Sequence, residues 1–120
     1  MAKYNILQDK SFAFAVRIVN LYKFLCEDKK EFVLSKQILR SGTSIGANVE
    51  EGIGGQSDKD FLAKLSISYK ETRETIYWLK LLFATDYLNK EQFDNILQDA
   101  EELGKILAKI ILTTKQKLKD

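Results

Sequence analysis

A chain of 120 residues, 45% hydrophobic and 11% aromatic, holds enough apolar material for the core of one domain and has no room for a second. With no histidine and a single cysteine it excludes disulfides and paired-thiolate zinc sites and lacks the commonest general acid/base, so its composition weighs against a conventional enzyme, a metal centre or a cofactor. The formal charge of +2, from 19 basic and 17 acidic side chains, supplies no bulk field toward nucleic acid or membrane, and the absence of proline leaves nothing to interrupt long helices.

Residues 1 to 10 are polar and lack the apolar run of a signal peptide, and no uncharged apolar stretch approaches the roughly 20 residues of a membrane span. One unpaired cysteine fits a reducing, cytoplasmic compartment.

Four helical segments follow in order. The first, over about residues 10–28 with Asp9 or Ser11 as N-cap, carries Phe12, Ala15, Val19, Tyr22 and Cys26 at spacings of three and four. A second apolar row, Phe14, Ile18, Leu21 and Leu25, runs beside it. One core contact needs only one such row, so the second is expected to form an oligomer interface.

The second helix, with Ser35 as its expected cap, carries Leu34, Ile38, Ile45, Val49 and Ile53 at helical spacing. Its centre is a small-residue run in which Gly42 and Gly46 share one face, each costing about 1 kcal/mol relative to alanine in an isolated helix. Close approach of another helix is the reading that offsets this cost. Gly52, Gly54 and Gly55 are expected to end the helix in the left-handed conformation that glycine adopts freely.

Ser57, followed by Asp58 and Asp60, is a strong start signal for the third helix, because the aspartates oppose the positive end of the helix dipole. Phe61, Leu65, Tyr69, Ile76, Leu79 and Phe83 continue it. After the loop at Asp86 to Asn89, Asn89 and Gln92 form a capping-box pattern ahead of the last helix, whose apolar side holds Phe93, Ile96, Leu97, Ala100, Leu103, Leu107, Ile110 and Ile111. Four long helices on short loops predict an all-α, up-down-up-down antiparallel four-helix bundle.

Gly52-Ile53-Gly54-Gly55-Gln56 follows a helix, lacks the lysine of a phosphate loop and precedes two aspartates, which argues against nucleotide binding. Glu71 and Glu74 have di-iron spacing without any histidine. A helix hairpin about Gly54 and Gly55 instead sets Arg40 opposite them, so Arg40, Glu71 and Glu74 are expected to form a structural polar cluster.

Charge is uneven along the chain: residues 1–40 hold eight basic and four acidic groups, 41–104 six and twelve, and 105–120 five and one. In an up-down bundle the first helix starts where the fourth ends, so Lys3 and Lys10 are expected near Lys115, Lys117 and Lys119. With Arg17 and Lys109 they make up the candidate nucleic-acid-binding set.

The stretch Leu39-Arg40-Ser41-Gly42-Thr43-Ser44-Ile45-Gly46-Ala47-Asn48-Val49-Glu50-Glu51-Gly52, with Ser57-Asp58-Lys59-Asp60-Phe61 after it, resembles the four-helix-bundle family of proteins encoded in bacterial 23S rRNA intervening sequences. Lys70-Glu71-Thr72-Arg73-Glu74-Thr75 and Tyr77-Trp78-Leu79 look like the same family's third helix. The resemblance spans about residues 9–115 and departs from many relatives where Gln56, in place of arginine, follows the second loop's glycine. It implies a small homo-oligomer, typically a pentameric ring, similar to the accessory protein of diversity-generating retroelements, which binds RNA, DNA and a reverse transcriptase. It implies no catalytic residues. Two readings follow: a nucleic-acid-binding oligomer that uses lysines near the termini, or an interaction scaffold whose apolar surplus binds protein.

Overall fold

The computed structural model describes residues 4–119, and every described element is helical: α1 (Asn5–Glu27), α2 (Leu34–Ile53), α3 (Asp58–Ala84) and α4 (Lys90–Lys119). Contacts run in opposite order along successive helices. Ser11 and Ile18 of α1 meet Gly46 and Gly42 of α2. Arg40 and Glu51 of α2 meet Glu71 and Lys64 of α3, and Thr72 and Phe83 of α3 meet Gly104 and Phe93 of α4. The result is a rod of 50 × 22 × 21 Å with leucines and isoleucines from all four helices in one core.

Two helix starts follow the capping signals. The Ser57 hydroxyl accepts from the Asp60 amide at 3.1 Å. Asn89 and Gln92 close a reciprocal box, each side chain accepting from the other's backbone N–H at 2.8 and 2.9 Å.

The other two starts differ from expectation. α1 begins at Asn5, ahead of both proposed caps, and Ser11 lies buried within the helix. α2 is capped by Glu31, not by Ser35. The Glu31 carboxylate accepts from the amides of Val33, Leu34 and Ser35 at 3.2, 3.0 and 2.7 Å, taking up three of the donors that a helix start leaves unpaired. Burial by itself raises the Glu31 pKa; the amide hydrogen bonds from Leu34, Ser35 and Val33 and the Ser35 hydroxyl outweigh it and hold the carboxyl below the ordinary glutamate range.

The helix ends also redistribute the expected roles. Gly54 caps α2 with φ −78°, and no described glycine has positive φ. Left-handed residues instead follow α1 at Lys30, φ 56°, and α3 at Asp86, φ 69°, where the Tyr87 amide reaches back to the Leu82 carbonyl at 2.9 Å and the Asp86 amide to Phe83 at 3.1 Å. This is a Schellman ending with aspartate in the glycine position, a geometry aspartate tolerates better than most residues. Gly52 stays helical for space: a Cβ there would stand 3.1 Å from Leu65 Cδ1 and Lys64 Cβ.

The largest correction concerns the two apolar rows of α1. Phe14, Ile18 and Leu25 are buried in the bundle core and Leu21 packs partly buried against it, so this row is not available as an oligomer interface. Of the other row only Phe12 is strongly exposed, at 72%, while Ala15, Val19, Tyr22 and Cys26 are half-buried; Val16, which belongs to neither row, is 46% exposed one turn on from Phe12. Ile18 decides the matter, because its branched side chain fills the notch that Gly42 opens on α2.

Candidate nucleic-acid interface

Three of the basic residues expected to bind nucleic acid are neutralised within the bundle. Lys10 forms an ion pair with Glu102. Arg17 reaches Asp99 at 2.5 Å and the Asn95 side-chain carbonyl at 2.6 Å, and Lys117 lies 3.2 Å from Asp58. Lys3 lies outside the described residues. The reason is that the polar side of α4 turned toward α1 is acidic, so α1's basic groups find Asp99 and Glu102 before they can meet the terminal lysines. Lys109, Lys115 and Lys119 remain exposed, with no ion pair among the described residues.

Lys115 belongs to a different grouping, which spans α3 and α4. Two adjoining depressions lie along that seam and share Tyr69 and Ala108. The first, about 500 Å³, is lined by Lys70 and Lys115 together with the apolar Ile111 and Leu112. The second, about 280 Å³, places Arg73 and Lys105 around Ile76, Thr72 and Gly104, with Glu101 at its α4 edge. The groove exists because α4 presents Gly104 and Ala108, one turn apart, where longer side chains would fill it: a Cβ at Gly104 would meet only Thr72 Cγ2, at 3.7 Å. Among the described residues none of Lys70, Arg73, Lys105 and Lys115 forms an ion pair.

Reading the chain in one dimension missed Lys70 and Arg73, because residues 41–104 are acidic in total, and Lys105, because its spacing places it only on the polar side of α4. The signal was register. The α3–α4 hairpin about Asp86 to Asn89 brings Thr72 to Gly104, and with them the basic residues on either side.

The polar cluster on the α2–α3 seam is assembled as a structural clamp. Arg40 bonds Glu71 at 2.8 Å and also pairs with Glu74, which accepts from the Trp78 indole N–H at 3.0 Å. The Trp78 hydrogen bond is the main cause holding the Glu74 pKa low; burial opposes it and Arg40 adds to it. For Arg40, burial opposes and the two glutamates prevail, raising its pKa further above any working pH. Ion pairs of this kind across a seam hold the two helices in register. Below them the Ser68 hydroxyl donates to the Ile45 carbonyl at 2.8 Å, and the Thr75 and Ser41 hydroxyls are 2.9 Å apart, so the buried polar groups of the seam are satisfied.

A small-residue α2 packed on α1, this glutamate clamp and the Ser57 helix entry all fall within residues 3–109, over which the chain matches the family described as 23S rRNA-intervening sequence protein. The chain belongs to that family. It is also similar to a crystal structure from Bacteroides thetaiotaomicron VPI-5482, described as a protein with unknown function from the S23 ribosomal protein family. The two are 58% identical, with TM-score 0.89 over 91% of this chain and 97% of that one. No curated protein matches. Among the described residues of this family member no group of three or more potential metal ligands occurs, and no helix is long and apolar enough to cross a membrane.

Proposed function

We propose that this intervening-sequence protein is a non-catalytic, cytoplasmic nucleic-acid-binding protein, a single up-down-up-down antiparallel bundle that holds RNA phosphates on basic side chains of α3 and α4. One observation carries the reading. Lys70 and Lys115, then Arg73 and Lys105, line successive parts of one groove without a carboxylate partner, whereas Lys10, Arg17 and Lys117 each have one. Unpaired like charges gathered on one seam repel one another, and an anion lying along the seam relieves the repulsion.

Fluorescence anisotropy with labelled RNA oligonucleotides over a salt series tests this. Each neutralised phosphate contributes about 0.7 to 0.9 to the slope of log affinity against log salt. The double variant Arg73→Glu, Lys105→Glu is expected to lose most binding and flatten the slope, while Lys90→Glu, at the far end of α4, leaves both unchanged. Full binding by the double variant overturns the reading.

A second reading, self-association into a ring or a scaffold for protein, is favoured by the exposed Phe12 and Val16. Light scattering should then give a multiple of 13.8 kDa that Phe12→Glu returns to the monomer mass. A wild-type monomer at micromolar concentration rejects it.

A further inference from the structure

We infer that the α3–α4 groove takes a single strand, with phosphates along the basic edges and unpaired bases on the apolar floor, and that it discriminates against duplex. The inference rests on the nucleic-acid reading above and goes further by assigning a role to the floor, which phosphate binding alone does not use.

The floor is long and apolar. From Glu101 to Lys115 the groove follows α4 for about 20 Å at 1.5 Å per residue. Along it Ile76, Tyr69, Ile111 and Leu112 present carbon to solvent, and Leu112 is 60% exposed. A duplex keeps its bases stacked inside and offers a protein its phosphates first, so it would touch Lys70, Arg73, Lys105 and Lys115 and leave the floor wet. It is also too wide to enter a groove between two helices whose axes lie about 8 to 10 Å apart. A single strand has both parts that the groove matches: a phosphate chain for the edges, and flat apolar faces for a tyrosine ring and branched aliphatic groups.

The opening at Gly104 and Ala108 gives the bases room. A Cβ at Gly104 meets no atom closer than 3.7 Å, so nothing in the packing of α3 against α4 requires glycine there, although glycine is a poor helix former. Glu101 closes the basic stretch at one end, giving the groove an attractive half near the α4 C-terminus and a repulsive limit near residue 101.

The test compares binding of a labelled oligo-uridine with binding of an RNA duplex of equal length, using wild type and two floor variants, Leu112→Ser and Gly104→Leu. The first removes apolar surface from an exposed position and the second fills the opening; circular dichroism melting checks that each remains folded. Wild type should prefer the single strand. Each floor variant should weaken single-strand binding about fivefold to tenfold, the scale of losing one base's apolar contact with the floor, with the salt slope unchanged because no phosphate contact is lost. Equal affinity for duplex and single strand, or floor variants that bind oligo-uridine as wild type does, overturns the single-strand inference while leaving the phosphate reading intact. If neither RNA binds wild type, both fall.

Discussion

The α1–α2 and α3–α4 seams each place a pair of small residues one turn apart, Gly42 with Gly46 and Gly104 with Ala108, and the two seams use them in opposite ways. On α2 the space is occupied. A Cβ at Gly42 would stand 2.6, 2.8 and 2.9 Å from three carbons of Ile18, and one at Gly46 would stand 3.3 Å from the Ser11 carbonyl oxygen. On α4 the space is left open to solvent and bordered by lysine and arginine. A small-residue pair therefore does not reveal by itself whether it admits a helix or leaves a groove; the side chain opposite decides.

The sharpest way to break the comparison is to fill the closed seam. Gly42→Leu drives a branched side chain into Ile18, which is buried on all sides and cannot swing away, and overpacking of this kind typically costs about 1 to 3 kcal/mol, occasionally more. Gly46→Leu meets backbone, which gives even less easily. Urea denaturation should show both far below wild type, with Lys36→Ala, on the exposed side of α2, within about 0.5 kcal/mol. Leucine variants as stable as wild type would mean that the seam has slack and that the two glycine pairs do not differ in kind.

The same contrast shows what was legible in the sequence. Four helices, the Ser57 cap and the Asn89 and Gln92 box could be read because each rests on residues within one turn of each other. The Arg40 contact with Glu71 could be read because the α2–α3 register follows from the position of the loop. The choice between the two α1 rows could not, since Phe12 to Cys26 and Phe14 to Leu25 have equally good helical spacing and the tie is broken only by the fit of Ile18 to Gly42 on another helix. The Glu31 cap was hidden for a related reason: the carboxylate sits ahead of α2 and folds forward over three amides, a geometry that no fixed sequence spacing announces. The basic groove stayed out of sight because its two sides lie 30 or more residues apart, with the α3 side, Lys70 and Arg73, inside an acidic stretch.

A smaller effect separates the two seams by pH. α2 starts on a charged cap and α4 on a neutral one, so only the α1–α2 end should lose its cap in acid. Because the folded-state pKa of Glu31 is depressed, its contribution is fully present above the unfolded-state pKa and is lost as pH falls through the folded one, below the ordinary glutamate range. Glu31→Gln should cost about 1 to 2 kcal/mol at neutral pH, and its penalty should shrink as acid removes the same contribution from wild type. Asn89→Ala should cost about 1 kcal/mol with no such pH dependence through this range. A Glu31→Gln penalty that is constant down to pH 3 would show that shape, and not charge, holds the start of α2.

The smallest expected effect has the opposite sign and tests the open seam directly. Gly104 is helical and interior to α4, where alanine is favoured over glycine by about 0.5 to 1 kcal/mol, chiefly because glycine has more backbone freedom to lose on folding. Its added Cβ would make an ordinary van der Waals contact with Thr72 Cγ2 at 3.7 Å and displace nothing. Gly104→Ala should therefore raise the urea midpoint with the denaturant slope unchanged, since the surface exposed on unfolding hardly alters. The same substitution at Gly42 should lower the midpoint, because there the Cβ falls within 3.0 Å of Ile18. Opposite signs from one chemical change, at two helical glycines each followed four residues on by a small side chain, would establish that packing against the facing helix outweighs intrinsic helix propensity in the first seam and leaves propensity in control in the second. If Gly104→Ala also destabilises, α3 lies closer to α4 than the open groove allows, and the room assigned to bound bases disappears with it.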